Sequence, residues 1–236
     1  MIPGGCDEGR RLSFADRSRT RLRPSPGVTN IFELDRQEIK EGLIAAVVGV
    51  GVDDFATNRL IQRMSADSDA VESTIQASLG EPARLAALDG TGLMDGGSQA
   101  ALDDVAALTA EALAVPNAAV SLLDGEREFL VGTSAALSPE ERWRPAEVSV
   151  CQYTVVCGIP FVVDDASRHP LLANLPSVVG GELGAYAGVP LFSDDEQAVG
   201  TLHVWFNRLH WWTSGQMIVL QDMADIASAK VFRRRI

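Results

Sequence analysis

The chain is predicted to be an α+β protein built on an antiparallel sheet, and three observations predict it. Two pairs of strand-like runs, within residues 118–132 and 185–206, are each joined by a short polar turn, so neighbouring strands pair without crossover helices. Helical periodicity falls before the first pair and after the second, with one short helix between them. Runs such as AAVSLL and FVV are apolar at nearly every position, which predicts that both faces of the sheet are covered.

The elements follow in order. Residues 1–30 are rich in Gly, Pro, Ser and Arg, carry Arg10, Arg11, Arg17, Arg19, Arg21 and Arg23, and lack apolar periodicity. They are expected to form a basic arm, either a solvated tail or a hook for phosphates or an acidic partner. Residues 31–80 are expected to be a helical extension. Asp35 and Glu38 have the spacing of a capping box, and further helices are expected over residues 54–64 and 69–79. Within VVGVGVDD, Gly49 and Gly51 supply only part of a dinucleotide-binding fingerprint, since Asp54 stands at the third glycine position. Gly80-Glu81-Pro82 ends the extension, and a domain over residues 82–232 follows.

In that domain Ser98 is expected to cap a helix running to about residue 114, with Leu102, Val105, Ala106, Thr109, Ala112 and Leu113 on one face. Asp124-Gly125 marks the first hairpin turn. Residues 147–150 are expected to add a short strand. SVCQYTVV reads as a short helix capped by Ser149, and IPFVV as the next strand. Residues 164–182 form a long loop with one helical turn, in which Asp164 and Asp165 cap or turn the chain. AYAGVPLF and AVGTLHVWF form the second hairpin. Thr213 and Gln216 open the last helix as a capping box, with Met217, Leu220, Ala224, Ala227 and Val231 at spacings of three and four. Trp211 and Trp212, just before it, either staple its start or mark a partner surface.

Composition narrows the partners. Across 236 residues, 46% are hydrophobic and 22% charged, with a formal net charge of −12 and a pI near 4.6. An acidic chain repels phosphates, which argues against nucleic acid and anionic membranes. The longest apolar stretch, LIAAVVGVGV at residues 43–52, is half the length a bilayer span needs, about 20 residues. The opening MIPGGCDEGRRLSF has no apolar h-region, so no secretory signal is expected. Three cysteines at irregular spacing make no disulfide framework, and no Cys/His cluster suggests a metal. A cytoplasmic protein with no required cofactor is expected.

At this point the residues resemble the GAF domains of signalling proteins, over residues 82 to about 230. RLAALDGTGLMD is similar to the family's opening helix and turn, and VPNAAVSLLDGEREFLVG to its first hairpin. EVSVCQYTVVCGIPFVVDDASRHPLLANLP resembles the segment in which a cysteine-bearing helix precedes a strand, an Asp and a loop. GAYAGVPLFSDDEQAVGTLHVW resembles the last hairpin. Order and spacing together carry the resemblance. It implies a GAF-like (profilin-like) fold, with terminal helices on one sheet face and a small-molecule pocket on the other. It also implies dimers through the terminal helices. Family ligands include cyclic nucleotides, tetrapyrroles and small metabolites, and none is assigned here. A bilin-type Cys-His pair is absent, since Gln152 follows Cys151 and Gly158 follows Cys157. The free methionine sulfoxide reductases of the family resemble GVCG at the cysteine and carry acids on the last strand. SVCQ, His203 and Trp205 stand at those places here.

Cys151 falls where the family often has a cysteine. A place just after a helix cap lowers a thiol pKa, whereas most free cysteines are small buried apolar side chains. Both readings stand at this stage. Cys157 is six residues on, about 9 Å along a helix, too far for a disulfide that needs α-carbons within about 7 Å. Alternation along the last strand puts Thr201, His203 and Trp205 on one face and Leu202, Val204 and Phe206 on the other. The first set, with Cys151, Tyr153 and Tyr186, is the expected ligand-binding pocket. The alternative is a filled core in which these groups satisfy each other. No output module is expected after the last helix, and Arg233, Arg234 and Arg235 suit a helix C-terminus. The expectation is a non-enzymatic sensory or regulatory protein acting in trans. A thiol-dependent reductase and an interaction protein with a vestigial pocket are the alternatives.

Overall fold

The computed structural model describes residues 34–49, 55–96 and 99–232, with backbone alone at residues 55–58. The basic arm, most of the VVGVGVDD turn, Ser98 and the terminal arginines lie outside the described residues. The described residues belong to one compact unit that begins at Leu34.

Helix α1 (Arg36–Val48) starts at the expected capping box, with the Asp35 carboxylate accepting from the Glu38 N–H at 2.8 Å. It stops at Gly49, whose φ of 66° suits a residue without Cβ. Helices α2 (Phe55–Ala66) and α3 (Ser68–Leu79) follow, and α4 (Pro82–Asp89) begins on the proline, which needs no amide partner there. Helix α5 (Ala100–Leu113) has Gln99 at its N-cap without a side-chain cap bond. Its first turn is held by Asp103, which accepts from the Thr133 N–H at 2.9 Å and pairs with the buried Arg142 at 3.0 Å.

Strands β1 (Asn117–Leu123) and β2 (Arg127–Thr133) flank the predicted turn. There the Asp124 carboxylate takes the N–H groups of Glu126 and Arg127 at 2.7 and 2.6 Å. The third strand differs from expectation. It is β3 (Trp143–Pro145), and residues 146–148 form a 3-10 turn instead of a strand. The reason is an aromatic anchor. Trp143 stacks on Phe129 at 4.5 Å, and the Arg127 guanidinium lies over the Trp143 ring at 4.7 Å. That pins the pairing upstream of the apolar residues that suggested it.

Helix α6 (Cys151–Cys157), strand β4 (Phe161–Val163), the helical turn α7 (Pro176–Val179), strands β5 (Ala185–Phe192) and β6 (Ala198–Phe206), and helix α8 (Ser214–Val231) complete the order. The six strands lie in the order β3-β2-β1-β6-β5-β4, and every adjacent pair is antiparallel. Both faces are covered. Leu202, Val204 and Phe206 pack with residues of α5 and α8, among them Leu102, Leu220 and Ala224. The opposite face carries α6, and α1 and α3 close over α6 through Leu43, Val47 and Ile75. Each such fully buried aliphatic side chain stabilises the fold by about 1.5–3 kcal/mol. The cysteine-bearing helix is therefore held between the sheet and the helical extension.

Two polar clasps secure that second face. The Arg84 guanidinium on α4 is buried and donates to the carbonyls of Leu79, at the end of α3, and Leu123, at the end of β1. Burial lowers it to about 10, against the pull of Asp124. In the loop of residues 164–184, His169 donates from Nε2 to the Ala46 carbonyl of α1 at 3.1 Å and accepts the Leu171 N–H at Nδ1.

Candidate functional site

A cavity of about 520 Å³ opens on the sheet face that carries α6. Strand residues form its floor: Glu128 and Leu130 of β2, Tyr186 of β5, and His203 and Trp205 of β6. One wall is the turn of residues 148–151 that leads into α6. The opposite side is the loop of residues 164–184, which contributes Pro176, Ser177 and Leu183. Arg144 stands at the rim, across the β2–β3 ladder from Glu128.

Alternation along β6 explains the floor. Each side chain turned toward α5 and α8 is aliphatic or Phe, and the intervening Thr201, His203 and Trp205 face α6. Helix α6 has Val150, not the expected Ser149, at its N-cap and no side-chain cap bond; Ser149 instead accepts the Cys151 N–H at 3.1 Å from one residue upstream. Gly158, with φ of 64°, ends α6 after seven residues.

Polar atoms converge on Cys151. Its Sγ lies 3.4 Å from His203 Nδ1 and receives the Tyr186 hydroxyl at 3.5 Å. Thr201 Oγ1 is 3.2 Å from His203 Nδ1, and Thr154 Oγ1 is 3.4 Å from the Tyr186 hydroxyl. The Tyr186, His203 and Trp205 rings stack in sequence, with centroids 5.7 and 5.3 Å apart. A carboxylate oxygen of Glu128 completes the cluster: it, Cys151 Sγ and a ring nitrogen of His203 all lie within 4.8 Å of one another. All three side chains are buried.

This setting governs the protonation states. Burial pushes the Cys151 thiol far above its usual range, and the Glu128 charge adds to the shift. A helix start lowers thiol pKa values, but here desolvation wins and the thiol stays protonated. Burial likewise lowers His203 to about 4, opposed by Glu128 and aided by Arg144. Tyr186 is raised by burial first and by Cys151 second. Cys157 is pushed up to about 12 by burial, and Cys151 and Cys157 are both free thiols at opposite ends of α6.

The sequence-predicted set divides. Cys151, Tyr186, His203 and Trp205 line the cavity. Tyr153 does not: two residues past Cys151 it has turned about 200° around the helix. Its hydroxyl donates to the Leu171 carbonyl at 3.3 Å, and its ring meets Phe161 edge-on at 6.1 Å. Thr201 is also outside the lining, fully buried beside His203. Asp165 accepts from Ser167 N–H, the turn role expected of it, whereas Asp164 makes a long-range bond instead, accepting from the Trp212 N–H. Trp212 donates its ring N–H to the Val163 carbonyl, and Trp211 is exposed. Glu128, Arg144 and Asn117 were missed as site residues. The available signal was the acid itself, alternating with Phe129 on a strand whose other inward position is Leu130. The expectation of no metal cluster rested on spacing along the chain, and the fold joins residues that sequence separates by dozens of positions.

Residues 98–231, spanning α5 to α8 and more than half of the chain, match the GAF domain family. A cyclic di-GMP phosphodiesterase of Pseudomonas aeruginosa is 29% identical over 125 residues, which cover 52% of this chain and 21% of that protein. The chain thus spans about a fifth of the length of the curated relative it matches. Among solved structures, the free methionine-R-sulfoxide reductase of Neisseria meningitidis, in complex with its substrate, aligns with a TM-score of 0.47 and 21% identity. That alignment covers 73% of this chain and 93% of that one. The GAF domain of an Acinetobacter phosphoenolpyruvate-protein phosphotransferase aligns with a TM-score of 0.47 and 17% identity, over 65% of this chain and 95% of that one. No described helix is long and apolar enough to cross a membrane. With its family match running from the helix before the first hairpin to the helix after the last, this chain belongs to the GAF domain family.

Proposed function

We propose that this chain is a non-enzymatic sensory or regulatory GAF domain protein. It takes a small molecule into the cavity beneath residues 164–184 and signals in trans. The observation that carries this reading is the cavity itself. Its volume, about 520 Å³, lies in the range of small-molecule sites, and apolar walls surround a few polar groups. A ligand meets Trp205 and Leu130 as apolar surface, Glu128 as an acceptor and Arg144 as a donor. Strands β5 and β6 carry cavity residues on one face and core residues under α8 on the other, so a ligand that orders the floor biases the packing of α8. Leu108 of α5 and Ile218 and Ile226 of α8 leave apolar side chains in water, which supports a homodimer or a partner contact through the terminal helices.

Thermal shift of the wild type and Trp205→Ala against a metabolite library tests the reading. Compounds that raise the melting temperature of the wild type are expected to lose that effect in Trp205→Ala, which stays folded. If no compound raises it, the sensor reading fails. The thiol-reductase reading has less support, because burial holds Cys151 protonated. Thioredoxin- and NADPH-coupled turnover of free methionine sulfoxide by the wild type, lost in Cys151→Ser, would replace the proposal with it.

A further inference from the structure

The convergence of Glu128, Cys151 and His203 offers a chemistry beyond small-molecule sensing. We propose that these three side chains bind Zn²⁺ at the floor of the cavity, with the fourth coordination position open to it. The donor set is a carboxylate, a thiol sulfur and an imidazole nitrogen, the three ligand types zinc takes in proteins. Their arrangement has the right scale. Zinc–sulfur and zinc–nitrogen bonds of about 2.3 and 2.0–2.1 Å at a tetrahedral angle set the two donors about 3.5 Å apart. Cys151 Sγ and His203 Nδ1 are 3.4 Å apart. No pair within the triad is separated by more than 4.8 Å, so the carboxylate closes by at most about 1.3 Å, a side-chain rotation, to complete the face.

The surroundings fit a metal better than a filled polar core. Glu128 is 2% exposed, and among the described residues it forms no salt bridge. Arg144 stands opposite it across the ladder without a direct ion pair, and a divalent cation in contact with the carboxylate offsets the cost of burying it. The Tyr186 hydroxyl reaches Sγ at 3.5 Å, and Thr201 Oγ1 lies 3.2 Å from His203 Nδ1. The tyrosine sits where an outer-shell partner orients a metal ligand, and the Thr201 hydroxyl, on the same ring nitrogen, gives way when that nitrogen binds the ion. All three donors also line the cavity, so an ion bound there faces open volume on its fourth side. That position takes water or a donor atom of an entering molecule. Coordination exchanges the Cys151 S–H bond for an S–Zn bond and releases the proton to solvent. No electrons move.

The site shares the cavity with the sensing reading but does not rest on it, and two measurements keep them apart. Chelator-treated, reduced full-length protein is titrated with Co²⁺ as a spectroscopic stand-in for Zn²⁺. One equivalent per chain is expected to give a sulfur-to-cobalt charge-transfer band and the intense visible bands of four-coordinate cobalt, and Zn²⁺ is expected to bleach both. The Cys6→Ser/Cys157→Ser variant, with Cys151 as its only thiol, retains the bands. Cys151→Ser loses the charge-transfer band, and Tyr186→Phe weakens binding about tenfold. Absence of the band in the wild type, or in the Cys6→Ser/Cys157→Ser variant, overturns the site even if Cys151→Ser fails to fold. So does a band that survives Cys151→Ser. Metabolite thermal shifts on the chelated protein report on sensing separately, so a metabolite hit without cobalt bands removes the zinc site alone.

Discussion

Replacing Gly188 with alanine tests how tightly the floor of the cavity is built. Gly188 lies on β5 two residues past Tyr186, on the same face, and opposite His203 on β6. The Tyr186 ring lies over it. A Cβ at Gly188 would meet the Tyr186 hydroxyl and would stand 2.8 Å from Cζ and 2.9 Å from Cε1. Ordinary carbon contacts are about 3.5–4.0 Å, so the ring must retreat by roughly 0.7–1 Å. It has little room to do so. Phe161 and His203 sit 5.8 and 5.7 Å from its centroid, and its hydroxyl contacts Cys151 and Thr154. Overpacking of this kind costs about 1–3 kcal/mol. At about 2 kcal/mol the melting temperature of a chain this long falls by roughly 4–8 °C. The assay is calorimetric melting of Gly188→Ala, Tyr186→Leu and the double variant. Once the ring is gone the added methyl is tolerated, so a coupling of at least about 1 kcal/mol is expected between the two changes. Additive losses would refute the claim that Gly188 is kept bare to seat Tyr186.

Arg84→Met strands two buried carbonyls, those of Leu79 and Leu123. At about 1–3 kcal/mol per unpaired group the expected loss is about 2–6 kcal/mol, read from the urea midpoint, and a loss below about 1 kcal/mol contradicts the clasp. Stability is also expected to fall as pH drops below about 6.5, the ordinary histidine value. His169 is lowered from that value by burial, with the Ala46 bond opposing, so the unfolded chain takes up the proton first. Its contribution is present in full above the ordinary value and is lost as pH falls toward the lowered one. Protonation at Nδ1 also forfeits the Leu171 bond. His203, lowered further, adds slope of the same sign, so His169→Asn is expected to reduce the pH dependence of melting between pH 7 and 5 without abolishing it, and an unchanged slope would count against this account.

Local hydrogen bonding was legible in the sequence because donor and acceptor lie within four residues. The capping boxes at Asp35–Glu38 and Thr213–Gln216 and the Asp124 turn are where spacing put them. Period-two patterning was equally legible along β6, where a one-residue slip would bury the wrong face. Longer-range pairings were not. The third strand follows a Trp143–Phe129 stack that apolar runs do not reveal. Tyr153 missed the cavity because a short helix aims neighbouring positions in different directions, and only the placement of α1 and α3 shows which direction meets Phe161. Glu128 reads as an ordinary charge in GEREF until β2 takes its place beside β1, and no spacing rule connects it to Cys151 or His203.

The two border strands, Trp143–Pro145 and Phe161–Val163, are three residues each. A foreign strand finds few main-chain groups to ladder onto, and Pro145 offers no N–H at all. Copies of this protein are thus poorly suited to growing rim to rim into fibrils.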